Sequence, residues 1–347
     1  MNKFFNKFIK KTNETDSVSR ITSDTVAEHR EKILAGGRRF KYPIQYVKHK
    51  LVFNAIAISL VALTSVVFLI WWQLYSVQNT GEFMYRITKF IPVPVANVDG
   101  ETVLYSDYLM KYRSSVHYLE SKEQVNLKSE DGIRQIEYIK QKSLQDAIED
   151  SFADKLAREI GISLDQKELE AFLVQQRKSN DGEISEQTYE SVIADYYDWS
   201  PSEYRHAVER KLLKQKVAYA IDSDSRNQID IMSNAIKANP SLDFKKLVES
   251  TNKTLVNKIE YGQSGWVPKD NQDGGLADAV SSFNNNAVTG IIESSLGDGY
   301  YIVRLLDRKA STVNYEYIKV PLFEFSKRLN DLKNQNKIIK YITIEEI

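Results

Sequence analysis

Cysteine is absent from the 347 residues. That excludes disulfide scaffolds, cysteine nucleophiles, iron–sulfur clusters, thiolate zinc sites and a lipid-modified cysteine anchor together. Histidine is nearly as scarce, with His29, His49, His117 and His206 alone, and no close pair among them suggests a metal site. Glycine and proline are low for this length, at 14 and 7, which argues for long helices over a many-turned β-sandwich. A net charge is also lacking: 47 Lys and Arg oppose 47 Asp and Glu, so the basic excess usual in nucleic-acid-binding proteins is missing. No phosphate-cradling glycine motif is present, because Gly297-Asp298-Gly299 lacks the rest of a dinucleotide fingerprint and precedes a strand. No cofactor or metal is therefore expected.

The neutral total is a cancellation. Residues 1–50 hold twelve Lys and Arg against five Asp and Glu, an excess of seven, and the rest of the chain carries an equal acidic excess. At the change of sign lies Leu51 to Trp72, twenty-two uncharged residues with only Asn54, Ser59, Thr64 and Ser65 as polar side chains. At about 1.5 Å per residue this run can cross a hydrocarbon core of roughly 30 Å. Lys48 and Lys50 flank its start, while Trp71, Trp72 and Tyr75 form an aromatic belt at its far end. The basic side should stay in the cytoplasm, leaving the remainder of the chain extracytoplasmic. A cleaved signal peptide is the rival reading, but its apolar core is normally about 7–15 residues close to the terminus and followed by small residues. The expectation is a single uncleaved span in the cell membrane.

Ahead of the span a short helix is expected from Ser23 to Ala35, stopped by Gly36-Gly37, and then a basic cluster at Arg38, Arg39 and Lys41. Beyond it a connector ends in the stiff Ile91-Pro92-Val93-Pro94. Val95–Val98 reads as a strand, Asp99-Gly100 as a turn, and Ser106 as the cap of a helix toward Tyr118. Leu144, Ile148, Phe152 and Leu156 recur every fourth residue and predict a long helix from about Asp131 to Ile160, stopped by Gly161. Ser163–Gln166 and Ser200-Pro201-Ser202-Glu203 read as capping boxes, and Ser185 as a cap, so helices should continue to about Ile221. Helices at 227–238 and 244–250 follow. Strands are then expected at 259–261, 265–267, 300–305 and 315–320, around a short helix near Leu276 to Phe283. A helix at 323–333 and an apolar ending, 338–344, close the reading.

Other enzyme signals are weak. Asp270–Gly275 has glycines and acids, but the acids do not fall at the alternate positions of a calcium loop. Glu149 and Asp150 are adjacent on a helix, where side chains diverge. His117 and His206 sit among charged neighbours and read as solvated surface groups.

The stretch Val95–Asp107 resembles the opening of the SurA-like periplasmic chaperones. The segments 157–163, 199–205 and 212–217 are similar to the rest of that family's helical domain. Asp243–Leu247, Gly265-Trp266, Gly274-Gly275-Leu276, Phe283 and Gly299–Leu305 resemble a parvulin-type peptidyl-prolyl isomerase domain. With the span, the layout is similar to the SurA/PpiD/PrsA-like membrane-anchored folding factors. The resemblance implies a cytoplasmic basic tail (1–50), a transmembrane helix (51–72), a linker (73–93), a helical SurA-N-like chaperone domain (94–222) and a small parvulin-like α+β domain (223–310). The last segment (311–347) would complete one or both external domains. Leu276 and Phe283, with Trp266, fall at the family's apolar substrate-binding positions, and Tyr301 stands where a floor histidine belongs. No histidine follows His206. The expected function is an extracytoplasmic folding factor that binds unfolded or translocating polypeptides through apolar grooves, with an isomerase domain that is weak or inactive. An active isomerase using Tyr301 as its catalytic side chain, and a non-catalytic envelope scaffold, are the alternatives. Tyr315–Val320 has the alternation of a strand the parvulin-like domain lacks at its start, and 338–344 is expected beside Val95–Val98.

Overall fold

The structure is a computed structural model and describes residues 22–41, 43–179 and 182–344. The first 21 residues of the expected basic tail lie outside it. The chain parts into two units, at Trp71/Trp72.

The first unit holds α1 (Ser23–Lys41) and most of α2 (Pro43–Tyr75). Helix α1 runs straight through Gly36-Gly37. Two glycines cost a helix only about 1 kcal/mol each, so they weaken it without stopping it. Within α2, Lys50–Tyr75 is long and apolar enough to cross a membrane. Two of its hydroxyls bond back to its own backbone, Thr64 to Leu60 O at 3.0 Å and Ser65 to Val61 O at 2.8 Å, as a hydrocarbon environment requires.

The second unit begins with the last turn of α2 and α3 (Glu82–Phe90), so the 73–93 connector is partly helical. Strand β1 (Pro94–Val98) pairs antiparallel with β2 (Glu101–Leu104) across the Asp99-Gly100 turn. Both turn residues have positive φ, 49° and 89°, as a tight two-residue hairpin requires. Strand β2 runs directly into α4 (Tyr105–Ser121), whose N-cap is Leu104 and not Ser106. Burial of Tyr105 decides that start: its hydroxyl donates to Leu74 O at 2.7 Å and its N–H to Val93 O at 2.8 Å.

Helix α5 (Glu130–Ile160) ends at Gly161 in the left-handed region, φ 71°. Its Leu144, Ile148, Phe152 and Leu156 are all buried, and it packs against α4 and against α8 (Pro201–Ile221). Between them come α6 (Gln166–Gln176), a minimal hairpin of β3 (Lys178–Ser179) and β4 (Gly182–Glu183), and α7 (Glu186–Tyr197). The box opening α6 uses Asp165 and not Ser163, because Asp165 has Glu168 three residues on to bond back to its N–H. Ser185 caps α7, and Ser200 with Glu203 forms the box of α8.

Helices α9 (Ser223–Ala238) and α10 (Phe244–Thr251) lead to a four-stranded antiparallel sheet. Helix α9 starts four residues before the expected Asn227 because Asp222 caps it. The sheet order is β5 (Glu260–Pro268), β8 (Thr312–Pro321), β7 (Gly299–Arg308) and β6 (Ile292–Glu293). Strand β5 is continuous where two pieces were expected. A bulge at Gly265, φ 63°, carries it past the interruption. Tyr300 and Ile302 of β7 face α9 and α10, whereas Tyr301, Val303 and Leu305 face α11 (Leu276–Val280), so the strand is buried on both sides. After β8, α12 (Glu324–Asn334) lays Phe325 against Phe152 of α5, ring centroids 5.3 Å apart. Strand β9 (Ile338–Lys340) then pairs antiparallel with β1, Val98 opposite Ile338.

Candidate functional site

Helices α6 and α7 bury little of themselves. Leu169 is the one buried residue of α6 and Ile193 the one of α7. Their remaining apolar and aromatic side chains stay half-covered along α8. A cleft of about 460 Å³ opens there, with Phe172, Tyr189, Ile193, Tyr197, Trp199 and Tyr204 on its walls. The Tyr189 and Tyr204 hydroxyls lie 2.8 Å apart, and Tyr197 stacks on Trp199 at 5.1 Å. Among the described residues, the buried Trp199 indole N–H has no acceptor.

The polar side of this cleft is ionic. Asp150, almost fully buried, takes Lys111 at 2.7 Å and Lys214 at 3.3 Å, and Lys214 also reaches Glu149 at 3.2 Å. Burial works against the Lys214 ammonium, yet the two carboxylates hold its pKa above the ordinary lysine value. The cation stays charged. Nearby, Asp107 bonds His206 at 3.3 Å and Arg210 at 3.5 Å. The Asp107 bond, against the opposing effect of burial, raises the pKa of His206.

Two further clefts adjoin. One, of about 510 Å³, has Ile162, Leu164, Leu212, Tyr219 and Tyr300 on its walls. The other, of about 270 Å³, has Lys211, Asn271 and Leu296. Phe172 stands on the wall of all three. Lys211 lies over its ring at 5.8 Å. The three clefts therefore meet at one aromatic side chain, and the surface they form passes from the helices to the edge of the sheet. Such a surface offers apolar and aromatic contact area bordered by paired charges.

The residues singled out from the sequence lie elsewhere. Leu276, Phe283 and Tyr301 come together in one apolar cluster under the sheet, with Leu276 and Tyr301 buried. The Tyr301 hydroxyl donates to Asp298 at 2.6 Å, and Asp298 also takes Lys319 at 3.0 Å. Burial, with the Asp298 bond, pushes the phenol above its usual range, so it stays protonated and committed to that carboxylate. Trp266 is apart from the cluster, exposed on β5 with the Lys309 ammonium 3.9 Å from its ring.

Phe172 and the aromatic wall were missed as a site. The available signal was density: Tyr189, Tyr196, Tyr197, Trp199 and Tyr204 fall within sixteen residues on helices otherwise short of apolar side chains.

Compared with known proteins, residues 44–218 match the family model described as a SurA-like N-terminal domain. No curated protein and no solved structure matches the chain.

Proposed function

This chain belongs to the SurA-like N-terminal domain family, a family of chaperone-like folding factors, and from that premise we propose that it is a membrane-anchored chaperone whose clients lie along the surface centred on Phe172. The carrying observation is that one half-buried phenylalanine is shared by three clefts on the helices of the matched segment and on the adjoining sheet. An unfolded chain presents apolar side chains at irregular spacing. Adjacent clefts with aromatic walls accept such a chain without demanding a sequence, because aromatic rings give large contact area at low conformational cost.

In this reading α2 crosses the membrane, residues 22–41 lie on the cytoplasmic side, and the unit from Trp72 onward works outside. The unbroken apolar stretch Lys50–Tyr75 supports the span, and the basic excess before it supports the orientation. The sheet of β5, β8, β7 and β6 with α11 is read as a degenerate parvulin-like domain. Strand β8 arrives from the C-terminal side and takes an inner position between β5 and β7, where a strand missing from the start of the domain would be replaced. Its pocket positions Leu276 and Tyr301 are closed off by packing, which supports weak or absent isomerase activity.

The experiment is suppression of aggregation of a chemically unfolded client by the full chain in lipid nanodiscs, with Phe172→Ser beside the parent. Phe172 is only partly buried, so the variant should keep the parent melting temperature while losing most of the suppression. Equal suppression by both would overturn the assignment of the surface.

A further inference from the structure

The short helix α3 has two apolar faces and only one is used. Met84 and Thr88 turn inward and are buried. Phe83, Ile87 and Phe90 follow at i, i+4 and i+7, a single stripe on the helix surface. Phe83 is 70% exposed and Phe90 88%, with Ile91 next to them at 49%. Two bare phenylalanines on nine residues leave large apolar area in water that burial would remove. Arg86 borders the stripe, paired with Glu82 of the same helix, and Lys89 lies 3.0 Å from Glu203 of α8.

What covers this stripe follows from where α3 stands in the chain. Six residues separate Tyr75, the end of α2, from Glu82, a reach of at most about 25 Å. The last turn of α2 is itself packed into the same unit as α3. Leu74 is fully buried, and Tyr75 donates to Pro94 O at 2.5 Å. If α2 spans a bilayer, α3 emerges at that bilayer's surface with an apolar stripe and a bordering arginine, the composition of a helix lying in the headgroup layer.

We propose that the Phe83–Ile87–Phe90 face of α3 inserts into the membrane surface beside the span and that its occupant is the lipid bilayer. This rests on the reading of α2 as a membrane span. Insertion to about 5–10 Å places both phenylalanine rings at the acyl boundary and Arg86 among the phosphates. The outer unit is then held against the lipid at a second place in addition to the chain connection.

The absence of cysteine makes any introduced thiol unique. Phe83→Cys, Phe90→Cys, Val61→Cys and Val256→Cys are labelled with an environment-sensitive fluorophore in the full chain. Each is reconstituted in phosphatidylcholine–phosphatidylglycerol vesicles carrying bromine on shallow acyl carbons, and position 61, at mid-span, also in vesicles brominated near the acyl chain ends. Val61 lies within the apolar run and Val256, 93% exposed, is the water reference. The expected result is quenching at positions 83 and 90 several-fold above that at 256. Quenching at both equal to that at 256 overturns the inference. Position 61 reports separately on the span. If it is quenched while 83 and 90 are not, α3 insertion fails alone. If none is quenched, the span fails with it. Quenching at 83 and 90 without 61 keeps the α3 contact and removes the span.

Discussion

The carboxylate of Asp222 accepts a 2.7 Å hydrogen bond from the backbone N–H of Phe323, 101 residues further along the chain. The same oxygen takes the N–H of Glu324 at 3.0 Å, and the other oxygen takes the N–H of Ser225 at 2.9 Å. One side chain thus closes the start of α9 and the start of α12, at the point where the helices, the sheet and the returning tail meet. Asp222→Ala should cost about 2–4 kcal/mol, since it removes two caps and leaves buried donors unmet. Denaturant midpoints of the two proteins measure this, and a loss below about 1 kcal/mol would show that only the local cap matters.

Glu203 predicts an acid-sensitive joint. It closes the α8 capping box with Ser200 and accepts from Tyr85 and Lys89 of α3. Burial opposes its charge, but the bonds from Ser200, Tyr85 and Lys89 outweigh that and hold its pKa down to about 2. A carboxylate depressed in the folded state contributes stability that is fully present above its unfolded value, about 4.5 for an ordinary glutamate, and is lost as pH falls toward about 2. Glu203→Gln should therefore be less stable at neutral pH and show a flatter loss across that window. Thermal melts at stepped pH read both, and parallel curves for parent and variant would count against the assignment.

Arg304 and Glu316 form a nearly buried cross-strand pair at 2.8 Å, with the guanidinium 3.9 Å from the Phe244 ring and bonded to the carbonyls of Pro240 and Leu242. Arg304→Met strands a buried carboxylate and should cost about 3–5 kcal/mol, while adding Glu316→Leu should return most of it. A double-mutant cycle on unfolding midpoints decides, and additive losses would mean the two groups are not coupled.

How far the fold was legible depended on the range of the interaction concerned. Ser185, Ser200 and Gly161 were readable because each cap is satisfied within four residues. The four-residue stripe of α5 was readable for the same reason. Ser106 misled because the start of α4 is set by Tyr105 reaching Leu74, thirty-one residues back. Asp222 was invisible as a double cap because its second helix lies far along the chain. The clefts at Phe172 exist only once α6, α8 and the sheet are placed, so no local pattern could mark that residue. Leu276 and Tyr301 were singled out through family likeness, which carries no information about exposure, and both are buried in one apolar cluster.

Removing residues 312–347 should damage both the sheet and the helices. It takes away an inner strand, the Phe325 contact with Phe152 and the partner of β1. Calorimetry of the truncated chain is expected to show no transition at the parent temperature. A cooperative melt at an unchanged temperature would refute the shared role of the tail.

Prolyl exchange offers the check on the sheet. In the presence of the full chain a proline peptide should keep its uncatalysed exchange time of roughly 10–100 s. Acceleration that disappears in a Leu276→Ala, Phe283→Ala variant would restore the enzyme reading.

The pairing of β1 with β9 also bears on how this protein comes into being. Asn97 faces Ile339, 242 positions away. A ribosome adding roughly 5–20 residues per second leaves the outer edge of β1 unpaired for on the order of 12–50 s. During that interval the nascent chain exposes an open strand edge, the feature by which unfinished chains aggregate.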